Sequence, residues 1–177
     1  MTLVSGGLQA VTLTFAVVLS TASAGAQAQG VVNMPKISAA LANQLVGDSV
    51  ANCAQKGYKV VAIVVDLDGV RQAVLRGDGA PIHSMDNAYN KAYSAASLTL
   101  GRKEGSTKEV AARMSKNPPS NVPSTPLPHI TYGVGGVTIM AAGGVPIGAI
   151  GVSGAPGGQF DEDCARAAIG KIQDQLK

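Results

Sequence analysis

The sequence predicts an α+β fold, a single-domain sandwich in which helices flank an antiparallel sheet. Three observations carry that prediction. Two β-branched segments are each folded back by a glycine turn, helical patterns stand on either side of each pair, and the composition supports one core. Of the 177 residues, 46% are hydrophobic and only 14% charged, which excludes a disordered chain. A net charge of +3 with 3% aromatic residues gives no footing for nucleic acid. No apolar run reaches the roughly 18 residues of a bilayer span.

Residues 1–28 read as a cleaved export signal, ahead of a linker over 29–36 and a domain over 37–177. The first charged side chain is Lys36. Ala10–Leu19 is an apolar run of signal-core length, and Ala26-Gln27-Ala28 fits a small-residue cleavage site. The basic residues that usually precede such a core are missing, and a buried N-terminal helix is the competing reading.

Within the domain, residues 35–56 carry Leu41, Ala42, Leu45, Val46, Val50 and Cys53 at helical spacing, and Gly57 supplies the stop. Residues 58–66 hold Val60-Val-Ala-Ile-Val-Val65, a strand buried on both faces. Asp68-Gly69 predicts a two-residue hairpin with positive φ at both positions, and 70–76 forms its partner strand. After the Gly77–Pro81 break, residues 82–100 read as a helix whose Ala88, Ala92, Ala95 and Ala96 suit close approach to a sheet. A basic stretch over 102–116 follows as a short solvated helix. Residues 117–128 hold too many prolines for regular structure. Residues 137–142 and 145–153 form a second hairpin around Gly143-Gly144. A terminal helix from about Gln159 has Asp161, Glu162 and Asp163 near its positive end. The predicted order is helix, two strands, two helices, two strands, helix.

Cys53 and Cys164 are too far apart for a C-x-x-C metal or redox motif. In an oxidising compartment they form one structural disulfide; the alternative is two buried free thiols. The glycine-rich stretches lack the Gly-Lys-[Ser/Thr] of a phosphate loop, and Gly133-Val-Gly135-Gly136 precedes a strand rather than a helix. These glycines read first as close backbone packing and tight turns, and the alternative for residues 148–158 is a ligand-facing loop before the terminal helix. Ser153 lacks the G-x-S-x-G spacing of a hydrolase elbow. The two histidines, His83 and His129, stand at element boundaries. Each is either a surface residue or an imidazole ligand for a metal or haem iron.

Several ordered motifs are familiar together: Val64-Val-Asp66-x-x-Gly69, Arg76-Gly-Asp-Gly-Ala80 with His83, Asn90-Lys91-Ala92-Tyr93-Ser94-Ala95, and residues 148–158 followed by Asp161-Glu162 and Cys164-Ala165. From about Leu41 to the C-terminus the chain resembles the GlcG/HbpS-like family of haem-binding proteins, related to the C-terminal domain of PduO-type proteins. The resemblance implies an α/β sandwich, assembly into homo-oligomers, and pairing of the terminal helices consistent with Cys53–Cys164. It implies haem as the cofactor, bound without covalent attachment, with His83 as axial ligand and His129 as the alternative. Met85, Tyr89 and Tyr93 would line an apolar slot near His83. Arg76 and Lys91 would pair with haem propionates, or else neutralise Asp78 and Asp86. The expected protein is thus periplasmic or secreted, and serves transport or sensing of haem or another small planar or anionic ligand. The alternatives are an enzyme of small-metabolite catabolism using the glycine-rich loop, and an oligomeric scaffold without a ligand.

Overall fold

The structure, a computed structural model, describes residues 30–116 and 127–177 together with Thr2. The chain divides into two compact units, Met1–Asn33 and Met34–Lys177. Residues 30–33 of the first are exposed and form neither helix nor strand. The expected export signal, apart from Thr2, lies outside the described residues. The second unit holds the α+β fold in the predicted order: α1 (Ala39–Ala54), β1 (Val61–Val65), β2 (Arg71–Arg76), α2 (His83–Leu98), α3 (Thr107–Lys116), β3 (Gly136–Ala141), β4 (Val145–Ser153) and α4 (Gly158–Ile172). No described helix is long and apolar enough to cross a membrane.

The four strands form one antiparallel sheet in the order β2-β1-β4-β3. β1 is central, so all five of its side chains are buried, and an apolar run without alternation is the result. Its pleat separates two cores. Ala62 and Val64 face Leu45, Val46, Ala165 and Ile172 of α1 and α4. Val61, Ile63 and Val65 face Ala88, Ala92 and Ala95 of α2. The alanine stripe allows a very close approach: a Cβ on Gly151 of β4 would collide with the Ala88 carbonyl and the Ala92 amide. Cys53 and Cys164 form a disulfide between α1 and α4, with Cα atoms 5.6 Å apart. The free-thiol alternative is therefore set aside.

Two local expectations change. Between β1 and β2 only Gly69 has positive φ, at 79°. Its N–H donates to the Asp66 carbonyl, and Asp66 N–H donates to the Val70 carbonyl, so the turn is longer than the two-residue type. Asp66 is the reason, because its carboxylate accepts from the backbone N–H groups of Asp68 and Val70, from Gln72 and from Lys36. α3 begins only at Thr107, since Gly105 and Ser106 ahead of it pair with β3. In α4, Asp161 lies in the first turn as expected, and both it and Glu162 are buried.

Candidate functional site

Four parts of the fold meet at one exposed patch beside the β1–β2 turn. Tyr89 and Tyr93, one turn apart on α2, present partly exposed rings 6.0 Å apart. The Tyr89 hydroxyl donates to the Gly69 carbonyl at 3.1 Å. Gly69 must be glycine: its φ disfavours a side chain, and a Cβ there would lie 2.6 Å from the Tyr93 ring. Arg71, the first residue of β2, sets its guanidinium carbon 3.6 Å from the Tyr89 ring centroid. A stacking contact of this kind leaves the N–H groups at the guanidinium edge for other partners.

The fourth part is His129. It is exposed, has φ of 63°, and sits edge-on to Tyr89 at 4.9 Å and to Tyr93 at 5.5 Å. The Ile130 N–H donates to the Leu127 carbonyl and closes its turn. Ser94, buried on α2, holds that turn down: its Oγ accepts from the Thr131 N–H at 2.8 Å and donates to the His129 carbonyl at 3.4 Å. Histidine is among the few residues that tolerate the left-handed region. An exposed imidazole is thus pinned against two phenol rings, with a cation across one of them. Of the proline-rich stretch ahead of it, residues 117–126 lie outside the described residues.

His83 opens α2 and is exposed, as expected. The tyrosines expected to line its slot stand six and ten positions further along the helix, about 9 and 15 Å at 1.5 Å per residue. They gather around His129 instead. Arg76 donates through Nε and Nη2 to the Ala80 carbonyl, bracing the 77–80 turn near His83. Lys91 is turned inward, a correction to its expected place beside a propionate. Its Nζ donates to Asp161 Oδ2 at 2.8 Å and to the Val152 carbonyl at 3.1 Å. The reason is Asp161: buried at the start of α4, this carboxylate needs a counter-charge inside the fold. Burial pushes the Asp161 carboxyl up, and Lys91 acts against that. Neither basic residue is ion-paired with Asp78 or Asp86 among the described residues.

The glycines of residues 148–158 serve packing. A Cβ on Gly154 would strike the Lys59 carbonyl, and one on Gly158 would meet the Val134 carbonyl at 2.5 Å. The loop is closed by the Ala155 N–H donating to Asp161 Oδ1 at 2.9 Å. Among the described residues no group of three or more His, Cys, Asp or Glu could hold a bare metal ion. Arg71, Ser94 and the pairing of both tyrosines with His129 were missed from sequence. The signal available was the i, i+4 spacing of Tyr89 and Tyr93; Ser94 stood inside a quoted motif without a role of its own, and nothing local marked Arg71.

The fold and patch together define a class: a small α+β sandwich in which two tyrosines of one helix meet a turn-borne imidazole at the surface. Residues 37–170 match the family model described as haem degrading protein HbpS-like, and the chain belongs to that HbpS-like family. A double mutant of Streptomyces reticuli HbpS is 30% identical, with a TM-score of 0.70 over 86% of this chain and 98% of that one. Klebsiella pneumoniae ORFY is 28% identical, with a TM-score of 0.70 over 85% and 99%. The PduOC–haem complex is 25% identical, with a TM-score of 0.66 over 77% and 95%. No curated protein matches this chain.

Proposed function

We propose that this chain is an exported, non-covalent haem-binding protein that works in haem transport or sensing. Family membership and the likeness to a structure solved with haem support the ligand. The observation that carries the site is the exposed His129 imidazole held against Tyr89 and Tyr93. Exposure leaves it open to a metal, and the phenol rings provide an apolar surface for a planar macrocycle. His129 is therefore the first candidate for axial ligand. His83 is the second, with Arg76 nearby for a propionate; its support is an imidazole that is also exposed, at a helix corner. Haem supplies an iron centre, and the residues here bind and orient it without any need for turnover.

Export is supported by the apolar N-terminal run and by the Cys53–Cys164 disulfide, which belongs in an oxidising compartment. Self-association is supported by the exposed Val70, Val74 and Leu75 on and beside the edge strand β2. The ligand proposal is tested by titrating hemin into purified protein and following the Soret band. A saturable shift that is lost in His129→Ala and kept in His83→Ala supports the first reading. Loss only in His83→Ala moves the ligand to the helix corner. No shift in the native protein overturns haem binding.

A further inference from the structure

Arg71 makes no ion pair among the described residues. Every aspartate and glutamate ion pair among the described residues goes to another cation: Lys36 to Asp66 and Asp68, Lys91 to Asp161, Arg113 to Glu104, Arg166 to Glu109 and Glu162, and Lys171 to Asp48. Arg71 is exposed and ion-paired with none of them. Its fixed feature is the stack on Tyr89. The same Tyr89 ring carries His129 at 4.9 Å. Its hydroxyl donates to the Gly69 carbonyl, which restrains the ring beside both neighbours.

From this arrangement we infer that Arg71 is the carboxylate-reading residue of the site, the cation that takes an acid group of a planar ligand held at His129. The inference rests on the haem reading and adds to it the residue that recognises the ligand's acid side chains. The guanidinium suits the task better than a lysine would, because it stacks on an aromatic face and presents paired N–H donors to one carboxylate. Lys91 is excluded by its buried pairing with Asp161, and Arg76 has two of its nitrogens committed to the Ala80 carbonyl.

The test compares hemin with its dimethyl ester, which keeps the macrocycle and iron and removes both acid groups. Affinities are measured by Soret titration for native protein, Arg71→Gln and Arg71→Lys, with thermal melts to establish that each variant is folded. The native protein binds hemin about tenfold more tightly than the ester, a difference of about 1.4 kcal/mol. Arg71→Gln binds both alike, and Arg71→Lys keeps part of the preference. Equal native affinity for hemin and ester overturns the Arg71 assignment and leaves haem binding standing, as does an undiminished preference in Arg71→Gln. If Arg71→Gln fails to fold, a preference in Arg71→Lys equal to the native one counts against the assignment. Failure of native protein to bind either compound overturns the haem reading and the inference together.

Discussion

Lys91 and Asp161 form a pair that neither residue could leave without cost. Their side chains are 11% and 3% exposed, and between them they join α2, the end of β4, the 154–157 loop and α4. Removing one partner strands a buried charge, which costs about 3–5 kcal/mol. Lys91→Met should lower the urea midpoint accordingly, and adding Asp161→Asn should recover part of the loss; an unchanged midpoint in the single variant contradicts the pairing. Asp66 acts in the opposite electrostatic sense. Burial alone would raise its carboxyl, but the Val70 N–H, Lys36 and the Asp68 N–H outweigh burial and hold it below the ordinary value. A carboxyl depressed on folding adds stability above its unfolded pKa of about 3.9, and that stability is lost as pH falls through the folded value. Urea midpoints taken from pH 6 downward should therefore fall in the acid range for the native protein. Asp66→Asn should start lower and lose less. Identical acid slopes would refute the role given to this carboxylate.

At the scale of elements, the disulfide joins the first helix to the last, linking residues 111 positions apart. Reduction should lower stability by about 2–5 kcal/mol, read as a urea midpoint shift with and without reductant; coincident curves would show that α1 and α4 hold together without the link. Most elements were legible because their cause is local. The Val60–Val65 run, the alanine stripe and the Gly143-Gly144 turn each announce themselves by period or by backbone preference. The exceptions share a physical origin in tertiary pairing. The first hairpin turn is lengthened by Asp66, whose partners include Lys36 from far upstream. The start of α3 is delayed because Gly105 and Ser106 serve the edge of β3. No local pattern carries such information.

Over the whole molecule, the sheet acts as a platform with a disulfide-tied helix pair on one face and α2 on the other. The close seat of α2 against Gly151 fixes the outer surface on which Tyr89, Tyr93 and the Ser94-held His129 turn meet. Two histidines and a tyrosine-bearing helix could be read from the sequence as candidates. Which histidine the tyrosines serve could not, because His129 arrives from another part of the chain and is placed by a single buried serine. Lys91 was misplaced for the same reason, since its partner lies on α4. The central claim is that an imidazole on this surface binds haem. The most direct measurement is an absorption titration of hemin into native protein beside the double variant His83→Ala/His129→Ala, with folding of both established by thermal melts. The account predicts a saturable Soret shift in the native protein and none in the double variant. Equal shifts in both, or no shift in either, would contradict it.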